Sequence, residues 1–328
     1  MNAAEREMIR WGRLLFERRL VSGWGGNLSR RLGRREFLIT AQHAPLGFLT
    51  PRDLVRIDET GKTRAKNRRA SSETPMHLAV YQGCGAQAVV HAHPPAVVAF
   101  SLARSHFIPA SFEEKYTIGR VPVIPQETPT VTEPEALVEA LKYGPIAILK
   151  GHGTVAAARS LEEAFLYTDL LEEAVRCQFF NERLNGTEPS AGAEAEPPAS
   201  AGPAHALFSR AHMEALVATA NSDPEFRAEG ERTDLTTSLT LRLDDTAAAW
   251  TVDFAHGEIR GLRERSDGEF LIGGKAEWWR AVFCGRIDPF LATQQGKLEL
   301  RRGELARLSR WYKPFQRAFA LWRRIPIE

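Results

Sequence analysis

Two histidines one residue apart end an apolar run in this sequence, in the stretch AVVHAHPPA at residues 88–96. On a β-strand, residues i and i+2 point to the same face, so His91 and His93 can converge on one point. Imidazole nitrogen is a good zinc ligand, and a same-face pair is typical of a metal site. The same spacing also suits two polar residues at a solvated strand end, so by itself it leaves both interpretations open.

A third candidate ligand lies in the stretch ILKGHGT at residues 148–154, where His152 stands between two glycines. Glycine permits unusual backbone angles and leaves room for a ligand close to the chain, although a lone histidine there is also a common turn residue. Three histidines without an obvious fourth protein ligand describe a catalytic site with an open position, occupied by zinc or another divalent metal.

Two further stretches carry polar groups that could serve such a site. In RASSETPMHLAVYQ, residues 69–82, Glu73 follows Ser71 and Ser72 in the first turn of a predicted helix. A carboxylate there either complements the helix N-terminus or acts as a general acid/base beside the metal. His77, one turn later, fits a packing or hydrogen-bonding role better than that of a ligand.

The glycine-rich stretch GWGGNLSRR, residues 23–31, is either a plain tight turn or a cradle for an anion, in which Asn27 and Ser29 would be the polar donors.

The elements that must position these residues alternate between strands and helices in the first part of the chain. Apolar and β-branched runs predict strands at 36–40, 53–58, 87–93, 121–125 and 145–152. Helical spacing covers residues 3–20, 72–83, 134–143 and 161–184. This alternation predicts a layered α/β domain over residues 1–185.

A second domain is predicted over residues 205–328, after a tether at 186–204 whose Pro-, Ala- and Gly-rich composition cannot bury a core. Alternating runs at 238–243 and 247–255, with EIRGLRER after them, predict consecutive hairpins. FLIGG and KLELR add two strands, and residues 304–323 have helical spacing with Pro314 as a possible kink. We expect a small α+β domain with an antiparallel sheet.

Composition excludes several classes of protein. The formal charge of +2 over 328 residues, without basic patches interleaved with aromatics, argues against a nucleic-acid partner. The three cysteines are odd in number and far apart, which favours reduced thiols over a disulfide framework. The N-terminal stretch mixes charges through its apolar positions, and no stretch is long and apolar enough to span a bilayer. We therefore expect a cytoplasmic protein without stable membrane insertion.

The order and spacing of GGNLS, SSETPMHLAVY, AVVHAHPP and ILKGHG resemble the class II aldolase/adducin family over nearly all of residues 1–185. The resemblance implies a zinc-binding set of His91, His93 and His152, with Glu73 as the catalytic acid/base. It also implies a substrate-anion site, which it places at Gly26, Asn27, Ser71 and Ser72.

The chain departs from the family pattern at Gln42 and His43, where the family has Ser and Gly donors to a phosphate. A phosphorylated substrate is therefore in question. Some family members use a tyrosine from the C-terminal tail, and Tyr116 and Tyr143 are the loosest of candidates here.

Residues 237–303 resemble the sterol carrier protein type-two lipid-transfer domain through LTLRLDD, WTVDF, FLIGG and GRIDPFLATQQGKLELR. The resemblance implies a five-stranded sheet and helices around an apolar tunnel, with Trp278, Trp279, Phe283 and Phe290 as possible lining. The alternative is that these aromatics are the core of a small domain.

The sequence therefore predicts a zinc-dependent aldolase-type lyase acting on a hydroxy-carbonyl, sugar-like small molecule, with an accessory domain for a lipid or other hydrophobic ligand. A ketose epimerase or dehydratase of the same fold is one alternative, and a non-catalytic carrier with an aldolase-like scaffold is another. The resemblance also implies that the protein forms a homo-oligomer, and specifically a tetramer.

Overall fold

The computed structural model describes residues 1–63, 68–126, 128, 131, 133–185 and 204–328. The chain divides into two compact units, Met1–Gly192 and Ala193–Glu328. The predicted tether at 186–204 lies outside the described residues apart from Ala204, so its bounds stay a prediction. No helix in the described part of the chain is long and apolar enough to cross a membrane.

The first unit is built on an eight-stranded sheet in the order β3-β2-β1-β4-β8-β7-β6-β5. Neighbouring strands are antiparallel except β6 and β7, which are parallel. The strands are β1 (Asn27–Gly33), β2 (Glu36–Thr40), β3 (Leu54–Asp58), β4 (Ala88–Ala92), β5 (His106–Phe107), β6 (Val121–Ile124), β7 (Ile146–Leu149) and β8 (Gly153–Ala158).

Both faces of this sheet are covered. Successive side chains of a strand point to opposite faces, and every residue of β4 and β7 is buried. The helices are α1 (Ala3–Glu17), α2 (Thr74–Cys84), α3 (Pro95–Ala103), α4 (Phe112–Thr117), α5 (Glu135–Tyr143) and α6 (Leu161–Asn185), with short 3-10 turns at Leu46–Phe48 and Pro51–Asp53. Helix α6 contacts α1 and α3, and α2 contacts α5. The predicted layered α/β architecture is confirmed.

The prediction of a glycine-rich loop over residues 23–31 was wrong in its second half, since β1 begins at Asn27 and lies next to β4. The polar residues Asn27 and Ser29 are both buried in this strand. A buried polar pair removes the apolar alternation by which a strand is recognised in a sequence. The strand prediction at 87–93 was right, with His93 one residue beyond the end of β4.

The second unit contains a five-stranded sheet in the order β11-β10-β9-β12-β13. Its strands are β9 (Thr237–Leu243), β10 (Ala249–Ala255), β11 (Glu258–Arg263), β12 (Phe270–Gly274) and β13 (Leu298–Arg302). Its helices are α7 (Arg210–Ser222), α8 (Pro224–Arg232), α9 (Ala276–Phe283), α10 (Pro289–Gln294), α11 (Leu305–Leu308) and α12 (Tyr312–Trp322), with a 3-10 turn at Ser309–Trp311.

Two expectations for this second unit need correction. The hairpins β9–β10 and β10–β11 are antiparallel as predicted, but β12 pairs with β9 in parallel, so the sheet is mixed. The connection between β11 and β12 at residues 264–269 is long enough to cross the sheet, which a two-residue hairpin turn cannot do. The single helical stretch predicted over 304–323 is interrupted by the 3-10 turn at Ser309–Trp311, and Pro314 lies in the first turn of α12, where its missing N–H is not needed.

Aromatic side chains of the second unit pack on one another. Phe283 lies 5.9 Å from Trp279 and 6.3 Å from Trp322 between ring centroids, and these three rings are at most 1% exposed. The indole N–H groups are satisfied as well, since Trp279 donates to the carbonyl of Arg242 and Trp322 to that of Leu216. Ring-on-ring packing of this kind supports the core interpretation of these three aromatics over a tunnel lining.

Candidate metal site

His91 is held in one tautomer by the neighbouring strand. It is 1% exposed on β4, opposite Val155 of β8, and its Nδ1 lies 2.9 Å from the carbonyl oxygen of Thr154. A carbonyl only accepts hydrogen bonds, so Nδ1 carries the proton and donates it. The lone pair of Nε2 is therefore available to a metal, in the arrangement by which backbone partners orient metal-ligating histidines.

His93 is positioned by backbone contacts and by two glycines. Its N–H donates to the carbonyl of Leu20 at 2.9 Å. A Cβ at Gly25 would lie 2.7 Å from its Nδ1, and a Cβ at Gly153 would lie 2.6 Å from its Cδ2. The ring thus occupies space that any larger residue at these two positions would take. Its Nε2 is 3.0 Å from Nε2 of His91.

His152 lies in the turn between β7 and β8. The preceding residue, Gly151, has φ +66°, a left-handed conformation that glycine adopts without steric cost. The N–H of His152 donates to the carbonyl of Leu149 at 3.0 Å, and its Nδ1 is buried without a hydrogen-bond partner. A buried ring nitrogen left unpaired is costly unless something binds it.

The three histidines together fit a metal ion. Their candidate ligand atoms all lie within 4.8 Å of one another. Burial holds the pKa of His91 well below its usual value, lowers that of His93 to about 4 and lowers that of His152. All three rings are consequently neutral near pH 7, the form in which imidazole binds a metal. The structure thus brings together all three predicted ligands.

Glu73 is the residue immediately before α2 and is 6% exposed. Its N–H donates to Oγ of Ser71 at 3.2 Å, and its Oε2 accepts from the N–H of Val131 at 3.4 Å. Burial raises the pKa of this carboxyl, and the bond from Val131 offsets part of that rise. Among the described residues this side chain accepts one hydrogen bond, which is long, and a buried carboxylate held in this way has the capacity to take up and release a proton.

The residues of the predicted anion site differ in their surroundings. Ser71 is buried and its N–H donates to the carbonyl of Thr40 at 3.0 Å, whereas Ser72 is exposed. Gly26 has φ +79°, and a Cβ there would lie 2.8 Å from the carbonyl oxygen of His91. The structure thus shows that Gly26 allows the chain to pass close to the strand that carries His91. The side chains of Gln42 and His43 are exposed.

Asn27 belongs to a buried polar network. It pairs across the sheet with His91, so both side chains project from the same face. Its Oδ1 contacts Nε2 of His77, whose Nδ1 lies 2.6 Å from Oγ of Ser29, and that hydroxyl lies 2.7 Å from the hydroxyl of Tyr81. Burial lowers the pKa of His77 to about 3, so its ring is neutral.

The direction of these hydrogen bonds orients the Asn27 amide. Because Oδ1 of Asn27 accepts from Nε2 of His77, Nδ1 of His77 must accept from the Ser29 hydroxyl. The Ser29 oxygen then accepts from Tyr81. No hydrogen bond from the two N–H groups of the Asn27 amide is present among the described residues, and the side chain lies on the face that carries His91. The expected hydrogen-bonding role of His77 is confirmed.

Replacing His77 with phenylalanine is expected to lower the free energy of unfolding by about 2 kcal/mol or more, because Asn27 and Ser29 would both be left buried without partners. Chemical denaturation of the full chain measures this. Tyr81→Phe, which removes only the outer hydroxyl, should cost about 1 kcal/mol. Equal stability of wild type and His77→Phe would show that the network does not support the strand.

Ser29 and Tyr81 were not predicted as parts of this network. His77 and Tyr81 are four residues apart in MHLAVY and so share one face of α2. That spacing is the signal in the sequence that could have connected them. The partner strand could not be identified without knowing that residues 27–33 are a strand next to β4.

Residues 6–179 match the family described as the class II aldolase and adducin N-terminal domain. An L-fuculose phosphate aldolase of Methanococcus maripaludis is 31% identical over 180 residues, which cover 54% of this chain and 97% of that protein. A 3,4-dihydroxyphthalate decarboxylase of Arthrobacter keyseri is 32% identical over 50% of this chain and 73% of its own length. The crystal structure of L-fuculose-1-phosphate aldolase from Thermus thermophilus is 32% identical, covers 57% of this chain and 98% of that chain, and has a TM-score of 0.52.

The second unit has its own similarity. A crystal structure of sterol carrier protein 2 is 28% identical and covers 36% of this chain and 98% of that chain, with a TM-score of 0.34. The five strands and surrounding helices expected for residues 205–328 are present in this unit.

Proposed function

The chain belongs to the class II aldolase and adducin family, and we propose that its first unit is a zinc-dependent lyase. Its reaction is the reversible cleavage of a carbon–carbon bond in a hydroxy-carbonyl, sugar-like compound. The observation that carries the proposal is the convergence of three neutral imidazoles, one with an unpaired buried nitrogen, in the same unit as a buried carboxyl group of raised pKa.

His91, His93 and His152 are proposed to hold the zinc ion. Three protein ligands leave a position for the substrate, and zinc bound there would act as a Lewis acid toward a carbonyl oxygen. The chain's own contribution is to keep these rings neutral by burial and to fix the His91 tautomer through Thr154.

Glu73 is proposed as the general acid/base. Its position at the start of α2 is fixed by the hydrogen bond from its N–H to Ser71, and its burial raises the pKa toward the value at which a carboxyl group can both accept and return a proton. It would exchange that proton with the carbon next to the substrate carbonyl.

Asn27 and Ser71 are proposed to bind the substrate, with Gly26 and Ser72 beside them. The amide of Asn27 is oriented by His77 with its donors available on the face that carries His91. Those donors suit a substrate oxygen that carries negative charge.

One relative is named as an aldolase and another as a decarboxylase. Similarity to them therefore supports the metal site more strongly than it supports one reaction type. We propose carbon–carbon bond cleavage as the reaction, in preference to epimerisation or dehydration. Retention of three histidines and a buried Glu73 favours an enzyme over a carrier with an aldolase-like scaffold. A hydrophobic ligand for the second unit and a homotetrameric assembly remain predictions from resemblance.

Removal of the metal tests the proposal. We expect retro-aldol turnover, screened over four- to six-carbon ketoses and their phosphates, to fall at least about 100-fold after dialysis against a chelator and to return with one equivalent of zinc. Release of the aldehyde product, coupled to its reduction, measures the rate. Turnover that persists in metal-free protein would contradict the proposal.

A further inference from the structure

Helix α3 connects two of the three histidines. It begins at Pro95, two residues after His93, and proline in its first turn gives the helix a defined start. Toward its other end, the hydroxyl oxygen of Ser101 accepts a hydrogen bond from the N–H of Gly151, with 2.8 Å between the two atoms. Gly151 is the residue before His152. One helix therefore links the backbone at His93 to the backbone at His152.

The Ser101 hydroxyl is fully buried and held in one orientation. Its Oγ lies 2.7 Å from the carbonyl oxygen of Val98, one turn earlier in α3, and donates its proton there. Because a hydroxyl has a single proton, the bond to Gly151 must run the other way, with the N–H donating to Oγ. The turn between β7 and β8 thus has a hydrogen-bond acceptor in a fixed place.

The bond to Ser101 holds the central peptide of this turn. The N–H of His152 closes the turn onto the carbonyl of Leu149. Lys150 lies in the region of negative φ and Gly151 has φ +66°, which is the pattern of a type II turn. A type I turn differs from it by reversal of the peptide between Lys150 and Gly151. Since glycine adopts either sign of φ, this peptide needs a partner outside the turn to stay in one orientation.

We propose that Ser101 is a positioning residue of the metal site, which holds the N–H of Gly151 and so fixes the turn that carries His152. The inference rests on the proposed function for the assignment of His152 as a zinc ligand. Ser101 acts through the backbone, and its contribution is to the affinity for zinc. Groups that orient ligating side chains in this indirect way typically contribute roughly 10- to 100-fold to metal affinity.

Ser101→Ala removes the acceptor and is expected to weaken zinc binding by about 10- to 100-fold. Competition with a chromophoric chelator, carried out on the whole chain, measures the dissociation constant. The visible spectrum of the cobalt-substituted protein should change with it, because that spectrum reports the geometry of the ligands. In the metal-free protein, the amide hydrogen of Gly151 should exchange with solvent faster in the variant than in wild type.

Thr168→Val is the matched control for Ser101→Ala. Thr168 is also fully buried on a helix, α6, and its hydroxyl donates to the carbonyl of Ala164 at 2.8 Å. Both substitutions remove a buried helical hydroxyl and should lower the melting temperature of the metal-free protein, but only Ser101→Ala should lose zinc affinity. Wild-type zinc affinity in Ser101→Ala, or an equal loss in both variants, would overturn the role of Ser101.

Gly151→Ala acts on the same peptide from the other side. Alanine disfavours φ +66°, and its Cβ would lie 3.2 Å from Cδ2 of Leu102, an exposed side chain that has room to move. We expect a similar loss of zinc affinity in this variant. In its background, Ser101→Ala should add less than about threefold, because both substitutions release one peptide. A fully additive loss would contradict a shared route through Gly151.

The positioning role and the proposed function fail separately. Zinc-dependent turnover with unchanged zinc affinity in Ser101→Ala would retain the lyase and remove the positioning role. Zinc affinity that depends on Ser101, in protein without lyase turnover, would retain the positioning role and remove the proposed reaction. A wild-type chain that binds no zinc would overturn both.

Discussion

Glu73→Gln is expected to slow zinc-dependent exchange of the substrate's carbon-bound proton with solvent by about 10²- to 10⁴-fold, with zinc content unchanged. Glutamine keeps the size of the side chain and can still accept the hydrogen bond from Val131. It cannot take up a proton, so only the acid/base step is removed. Deuterium incorporation from heavy water into the hydroxy-ketone partner, incubated without an aldehyde and followed by NMR, measures the rate of this proton transfer with no carbon–carbon bond made or broken.

Glu172→Gln is the matched control for this variant. Glu172 is also a buried carboxyl group of the first unit, but it accepts hydrogen bonds from the N–H groups of Ala96 and Val97 at the start of α3. Its replacement should reduce stability and leave the exchange rate within about threefold of wild type. Equal loss of exchange in both variants would point to a general effect of buried charge and would remove Glu73 from its role.

His91→Ala is expected to weaken zinc binding by more than about 100-fold, because loss of an outer-shell partner alone typically costs 10- to 100-fold. His91 is the most buried of the three rings and the one whose tautomer is fixed by Thr154. Mass spectrometry of the metal after dialysis at a buffered free zinc concentration measures the stoichiometry.

The control for His91→Ala is His43→Ala, an exposed histidine of the same unit. That variant should retain one zinc per chain. Stoichiometric zinc in His91→Ala would remove this residue from the ligand set, and turnover in that variant would remove the metal from the reaction.

The local pattern of the sequence marked His91, His93 and His152 as candidate ligands, because strand alternation and turn chemistry are short-range properties, and the resemblance to the family implied that they form one set. His91 on β4 and His93 just beyond its end converge as strand spacing predicts, with 3.0 Å between their Nε2 atoms, and Gly151 and Gly153 flank His152 in its turn. The spacing did not show whether the strand that carries His91 lies next to the turn that carries His152. The adjacency of β4 and β8 answers that, and it depends on the whole sheet.

The polar network around Asn27 shows where prediction from pattern stops. Its members lie on β1 and α2, and β1 lacks apolar alternation because Asn27 and Ser29 are buried as hydrogen-bonded polar groups. The parallel pairing of β9 and β12 was missed for a different reason. Strand order within a sheet is set by crossovers and long-range packing, which no local window of sequence contains.

The central claim is that His91, His93 and His152 form one zinc site. Anomalous diffraction from crystals of the zinc-loaded protein, collected on both sides of the zinc absorption edge, tests it most directly. The account predicts one strong peak among the three imidazoles at an ordinary zinc–nitrogen distance of roughly 2.0–2.1 Å. No peak among these rings at full zinc loading, or a peak held by other residues, would contradict it.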